Sequence, residues 1–295
     1  MDGIILVDKP VGPTSAELVR AVKRIVRPSR VGHLGTLDPF ASGLLPILIG
    51  EATKLAPFIQ DGSKVYEGLI ALGTETDTLD RTGVVIRTAA QPELNDQHLA
   101  NVAARFTGTI EQIPPVFSAL KRDGIPLYKL ARSGCEVEPP ASRQVQIHEL
   151  TLEPQGPAML RFTASCSTGT YMRSLARDLG LALGTVAHLS ELRRLRSGNF
   201  TVRQALTLAE VLDALEQGGT ANILIDLREA LADLPEVAVE GAIEQRLRNG
   251  DSRALDFLAP PQAALFKVIA NGHLLAVAEV VSRVTARVLR AFNYP

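Results

Sequence analysis

Gly32-His33-Leu34-Gly35-Thr36-Leu37-Asp38-Pro39-Phe40-Ala41-Ser42-Gly43-Leu44-Leu45-Pro46 is the stretch on which the reading of this chain turns. Across residues 31–49, glycines stand at 32, 35 and 43, prolines at 39 and 46, and Asp38 is the single charged residue. Glycine and proline punctuate regular structure, so the segment reads as a tight, partly buried loop rather than a regular element. A carboxylate in apolar surroundings is poorly solvated and its pKa rises; if a nearby cation keeps it ionised, it is a strong base or nucleophile. The same aspartate could instead make an Asx-turn ahead of Pro39. The local sequence leaves both readings open.

Working outward, residues 4–7 read as a short buried strand, followed by a helix whose Thr14 and Glu17 have capping-box spacing. Leu18, Val22 and Ile25 share one face of that helix. Lys64–Leu72, 144–152 and Met159–Cys166 read as strands, the last two separated by a Pro/Gly turn. Leu99, Val102, Ala103 and Phe106 mark a helix ending before Gly108, and Leu127, Leu130 and Ala131 a short one with Gly134 as its stop. Residues 171–183 and 208–215 are helical. Strands and helices do not alternate regularly, which predicts an α+β fold with a mixed or antiparallel sheet rather than a doubly wound one. Gly218-Gly219-Thr220 is a loosening point, and beyond about Leu234 the texture turns β-rich. There Asn271-Gly272 joins the apolar runs 264–269 and 274–281, a strong hairpin signal. The expected organisation is a body over 1–232 and a small β domain over 233–295.

The 295 residues are 46% hydrophobic and 21% charged, ordinary values for a globular chain. No leader-like start and no apolar run of spanning length is visible, and the two cysteines, Cys135 and Cys166, suggest no disulfide framework. A cytoplasmic protein without membrane contact is the expectation. The net charge of -1 hides segregation. Arg20, Lys23, Arg24, Arg27 and Arg30 precede His33 without an intervening acid; Arg193, Arg194, Arg196 and Arg203 form a second basic group, and Lys121, Arg122, Lys129 and Arg132 a third. Such patches suit a polyanion, although solvated helix faces look the same from charge alone. No Walker loop, Gly-x-Ser-x-Gly elbow or clustered Cys/His set is present, and the five histidines lack ligand spacing. Neither a cofactor nor a metal is expected.

The string around Asp38 closely resembles the catalytic motif of the TruB family of tRNA pseudouridine synthases. Other segments agree in order: Val7-Asp8-Lys9-Pro10, Lys64-Val65-Tyr66-Glu67 with Leu72–Asp80 behind it, Pro114–Lys121, Gly169-Thr170-Tyr171-Met172-Arg173 and Leu192-Arg193-Arg194. The C-terminal β segment is similar to a PUA domain, an RNA-binding module. This resemblance implies a pseudouridine synthase-type sheet with flanking helices, a family-specific insertion at about 108–143, and conversion of uridine 55 in the T loop of tRNA. It makes Asp38 the nucleophile, Arg173 its ion partner and Tyr66 the ring that stacks on the extruded uracil. It also places His33, Tyr171, Leu192, Lys9 and Lys121 among substrate-binding positions, Lys9 chiefly as support for the active-site loop. Thr168 stands where many relatives carry lysine. The aspartate could attack base or sugar, or assist glycal formation. A stand-alone monomer acting on the T stem-loop is expected, with no protein partner. The alternatives are a non-catalytic tRNA-folding chaperone, a synthase for another RNA and, lacking a paired carboxylate, least favoured of all, an aspartate hydrolase.

Overall fold

The computed structural model describes residues 1–27, 30–59, 62–133, 137–258, 261–282 and 285–293. In chain order the first elements are β1 (Gly3–Lys9), α1 (Ser15–Ile25), β2 (Val31–His33), β3 (Ser42–Ile49), α2 (Ala56–Ile59), β4 (Lys64–Leu72), β5 (Thr74–Thr76), β6 (Val85–Thr88), α3 (Asp96–Phe106) and β7 (Gly108–Gln112). Then come β8 (Lys121–Arg122), β9 (Ile125–Pro126), α4 (Leu127–Arg132), β10 (Arg143–Pro154), β11 (Met159–Cys166), α5 (Met172–Ala182), β12 (Ala187–Ser197), β13 (Phe200–Thr201), β14 (Leu206–Thr207) and α6 (Leu208–Glu216). A last group holds β15 (Glu236–Ala238), α7 (Gly241–Arg248), β16 (Leu265–Ala270), β17 (His273–Ser282) and β18 (Thr285–Ala291).

A ten-stranded sheet in the order β14-β1-β3-β12-β4-β11-β10-β7, with β2 and β13 attached at its side, forms the body. β1 with β14 and β3 with β12 are parallel and the remaining pairs antiparallel, which makes the sheet mixed as the irregular alternation predicts. Tyr66 and Ile70 alternate inward along β4, and α5 and α3 cover that face through Leu175, Leu179, Leu99 and Val102. On the other flank α1 and α6 pack Leu18, Val22 and Val211 against Ile5, Val7 and Leu45. The Thr14–Glu17 capping box is formed at both ends: the Glu17 amide donates to Thr14 Oγ1 at 3.2 Å, and Glu17 Oε2 accepts from the Thr14 amide at 2.7 Å.

Two readings of the sequence are corrected here. Only residues 34–41 of the segment 31–49 are a loop; Ser42–Ile49 is a strand, with every residue from Gly43 onward buried. Its unbroken run Leu44-Leu45-Pro46-Ile47-Leu48-Ile49 is that of a strand covered on both faces, and Gly43 and Pro46 masked it. The sequence pattern announces no strand at residues 187–197, yet Ala187–Ser197 lies at the sheet's centre between β3 and β4. Its arginines led to its reading as a basic patch, whereas Arg194 is fully buried and Arg193 forks onto Asp8 at 2.6 and 3.0 Å. The proposed helix stop Gly134, and Cys135, lie outside the described residues.

β15 to β18 form a separate four-stranded sheet. Asn271 and Gly272 both have positive φ, 51° and 82°, as a type I′ hairpin turn requires. This sheet docks on the body through a shared cluster: Ile269, Leu274, Val277 and Phe292 pack with Leu44, Leu48 and Leu55. Buried Lys267 ties the junction by donating to the carbonyls of Leu231 and Arg228 at 3.2 and 3.3 Å. Among the described residues no helix is long and apolar enough to cross a membrane.

Candidate active site

Residues 34–41 leave β2 and enter β3, and nearly every turn of that loop is tied down. Ser15 Oγ, at the start of α1, accepts from the Leu37 amide at 2.9 Å and donates to its carbonyl at 3.0 Å. The Pro39 carbonyl accepts from the Gly12 amide at 2.8 Å. Lys9 is fully buried beneath the loop and its Nζ donates to the carbonyls of Ala41, Pro10 and Pro39 at 2.6, 3.0 and 3.4 Å. Lys9 is therefore a support of the loop from below and not an exposed contact. Gly43 has φ +101°, and a Cβ there would stand 2.4 Å from the Arg194 carbonyl, so only glycine lets β3 join β12 at this point.

The loop so held presents Asp38, whose side chain is 35% exposed, to Arg173 in the first turn of α5. Arg173 Nε lies 2.9 Å from Asp38 Oδ2 and Nη2 donates to Oδ1 at 3.3 Å, a bidentate fork. The other guanidinium hydrogens go to the carbonyls of Thr78 at 3.0 Å and Phe117 at 2.9 Å, with Asp80 Oδ2 3.5 Å from Nη1. Burial pushes the Asp38 carboxyl above the ordinary carboxylate range; Arg173 pulls it back, Asp80 pushes it up and Lys9 opposes that. The outcome is a carboxylate oriented by a cation yet poorly solvated, the condition under which an aspartate serves as nucleophile or base.

Asp80 is the group that sequence reasoning passed over. It falls within the 72–80 motif, to which the resemblance attaches no role for it. Its Oδ1 accepts from the Thr82 amide at 2.9 Å and the Thr78 hydroxyl at 3.0 Å, in a turn where Leu79 takes φ +61°. A buried leucine in the left-handed region costs on the order of 1–3 kcal/mol, and the turn is held against β12 by paired bonds to Leu189. The signal available was an aspartate flanked by threonines at both −2 and +2, a pattern that caps itself.

The structure brings several expected residues to this centre. Tyr66 on β4 is buried, shares a core cluster with Leu37 and Phe40, and faces Asp38 and Arg194; burial raises its hydroxyl above the ordinary range. Leu192 on β12 packs in the same cluster and, with Phe40 and Gly68, borders a neighbouring cleft of about 320 Å³ whose lining does not include Asp38, Tyr66 or Arg173. Tyr171 is half-buried at the N-cap of α5. Gln112 holds its backbone from both sides, accepting from the amide at 2.8 Å and donating to the carbonyl at 3.1 Å, and the Arg143 guanidinium lies 4.7 Å from its ring centre. His33, at the end of β2, is half-buried and held below its ordinary pKa by burial and Arg194, so it is neutral near pH 7. Lys121 is not brought to the Asp38 centre; it is exposed on the hairpin Lys121–Pro126 of the insertion. Thr168 is exposed ahead of α5. Among the described residues no cluster of His, Cys, Asp or Glu could hold a metal ion.

Residues 23–172 match the model of the TruB family pseudouridylate synthase N-terminal domain, and residues 173–237 that of the tRNA pseudouridylate synthase B C-terminal domain. The chain belongs to the TruB family of pseudouridylate synthases. It is 39% identical to tRNA pseudouridine synthase B of Geobacter sulfurreducens, over 99% of this chain and 100% of that one. It is 42% identical to tRNA pseudouridine synthase B of Rhodospirillum rubrum, over 99% and 96%. Among solved structures, one described as an H/ACA RNP bound to a substrate RNA containing 2'-deoxyuridine has the same fold, with a TM-score of 0.73 and 23% identity over 99% of this chain and 85% of that one. A Cbf5-Nop10-Gar1 complex matches with a TM-score of 0.71 and 25% identity, over 99% and 84%. The mixed sheet with its separate β-rich C-terminal sheet is thus that of a pseudouridine synthase, and the family's chemistry is isomerisation.

Proposed function

We propose that this chain converts uridine 55 in the T loop of tRNA to pseudouridine, acting as a monomer in the cytoplasm. The observation that carries the reading is the Arg173 fork on a half-exposed Asp38 within a chain of this family. The reaction breaks the ribose C1′–N1 bond, forms C1′–C5, removes the proton from C5 and places one on N1. Nothing is oxidised or hydrolysed, so the chain needs a nucleophile, a means of holding the base and a route for one proton. Asp38 is the nucleophile, kept ionised by Arg173. Tyr66 and Leu192 are the walls against which the extruded uracil is held, and the Tyr66 hydroxyl is the proton carrier. Tyr171 closes the pocket from α5, while the neutral His33 ring meets the bases of the loop. Unstacking the target costs a few kcal/mol. Contacts from the exposed Lys23, Arg24, Arg27 and Arg30, from Lys121 on the 108–143 insertion and from the PUA-like domain over 233–295 offset it.

The test is incubation of purified protein with an unmodified tRNA transcript, mapping pseudouridine at single-nucleotide resolution, with Asp38→Asn beside it and RNA binding measured for both. Pseudouridine at one T-loop position for the wild type, and none for a variant that still binds, is the expected result. Tight binding without pseudouridine from either protein replaces this reading with the chaperone.

A further inference from the structure

A second group of cations lies beside the Asp38 loop, and none of the roles above uses it. Arg194 is fully buried on β12. Its Nε donates to the Leu44 carbonyl at 2.8 Å and its Nη2 to the carbonyls of Gly35 and Leu34 at 3.0 and 3.4 Å. Its Nη1 is buried and has no hydrogen-bond partner among the described residues, and the Tyr66 hydroxyl faces the guanidinium. Lys64, half-buried at the start of β4, reaches the same place. The point where a Gly35 Cβ would stand is 3.0 Å from Lys64 Nζ and 3.2 Å from Arg194 Nη1. Neither Lys64 nor Arg194 forms an ion pair among the described residues. A wholly buried guanidinium costs several kcal/mol to desolvate, and carbonyl dipoles offset that only in part. Two cations converging on one glycine without a carboxylate add mutual repulsion. Burial chiefly, and Arg194 after it, hold Lys64 down to about 8; the second of these is that repulsion seen from the lysine.

We infer that Lys64 and Arg194 form an anion subsite around Gly35 that receives one backbone phosphate of the RNA beside the target nucleotide. This rests on the proposed function and specifies how the nucleotide is delivered. A phosphodiester is the charge that each nucleotide brings, and its oxygens accept from several donors at one point. Gly35 sits between the two cations and three residues before Asp38, so a phosphate held there fixes the distance from backbone to nucleophile. Lys64 is the half-exposed member and forms the entrance; Arg194 is the floor.

The experiment uses a T stem-loop RNA with a neutral methylphosphonate at each linkage flanking the target uridine in turn. Binding is measured for the wild type and for Lys64→Gln, together with single-turnover formation of pseudouridine on the unsubstituted RNA. At one linkage, neutralisation weakens wild-type binding about tenfold and weakens Lys64→Gln no further, and Lys64→Gln lowers the slope of log affinity against log salt by about 0.7. Effects that add independently at every linkage, or an unchanged slope, overturn the subsite. Arg194→Lys, which keeps the charge and loses the fork, retains the coupling if the site is electrostatic; its melting temperature shows whether the loop survives. Turnover by the wild type without coupling overturns this inference alone, whereas no turnover on any RNA overturns the function on which it rests.

Discussion

Arg173 and Arg194 are both buried, both flank the loop that carries Asp38, and solve the burial of a cation in opposite ways. Arg173 donates to one carboxylate and two carbonyls and pairs with a second carboxylate, so its charge is more than compensated within the protein. Among the described residues Arg194 has three carbonyls, the Tyr66 hydroxyl facing it, no carboxylate, and one nitrogen without a hydrogen-bond partner. A charge neutralised in place fixes geometry before the substrate arrives. One left uncompensated keeps a cost in the free protein that an incoming anion relieves. The first arrangement suits the group that aims a nucleophile; the second suits a group that waits for RNA.

The contrast is broken most directly at the compensated end. Asp38→Asn keeps the shape and removes the charge, and single-turnover formation of pseudouridine falls by on the order of 10⁴-fold or more, the scale on which losing a nucleophile acts. Arg173→Met leaves Asp38 and Asp80 without their cation. Breaking a buried pair in this way costs about 3–5 kcal/mol, read as a lower denaturant midpoint, and turnover drops roughly 10³-fold. Arg173→Lys separates charge from fork. It keeps the cation and loses the bidentate bond, so the rate falls at least about tenfold with a smaller loss of stability. A wild-type rate in that variant removes the fork from the mechanism.

A gentler perturbation asks how the two carboxylates share Arg173. Because burial raises the Asp38 carboxyl above its ordinary 3.8, the acid limb of the single-turnover rate lies above that value. Activity is present at higher pH and is lost as pH falls through the limb. Asp80 contributes to the upward push, so Asp80→Asn moves the limb to lower pH, while Arg173→Met moves it higher. A limb that stays in place in both variants assigns it to some group other than Asp38.

How much of this was legible in the chain depended on the range of the interaction. The capping box at Thr14 and Glu17 is a three-residue contact, and the Asn-Gly turn a two-residue one; both were readable. β4 and β11 were readable because inward and outward residues alternate along them. β12 was not, because Arg193, Arg194 and Arg196 look like a solvated face when their acceptors, Asp8, Leu44 and Gly35, lie some 150 residues or more away in the chain for the first two. Asp38 and Arg173 could be paired through resemblance alone, since the 135 positions between them hide the contact from any local pattern. Asp80 needed the left-handed Leu79, a conformation that no leucine announces.

The smallest effect concerns the lysines that share the Asp38 loop and sharpens the comparison through stability. Burial brings Lys9 and Lys64 down to about 8, from 10.5 in the unfolded chain. Above pH 8 the unfolded state therefore holds more protons than the folded one, and the free energy of unfolding rises with pH. Cys166 works the other way. Burial raises it from 9.0 to about 11, so from pH 9 upward the folded state keeps a proton that the unfolded state loses, and stability falls. Tyr66, also raised, adds to that fall from about pH 10. Denaturation followed against pH thus shows a rise that begins near pH 8, slackens near pH 9 and ends near pH 10, because two lysines outweigh Cys166 alone. Lys64→Gln halves the rise between pH 8 and 9 and flattens it above, because Lys9 keeps its three carbonyl acceptors and titrates as before. A rise that survives intact in Lys64→Gln assigns the whole of it to Lys9, and leaves the repulsion between Lys64 and Arg194 too weak to act as a reserve for an incoming phosphate.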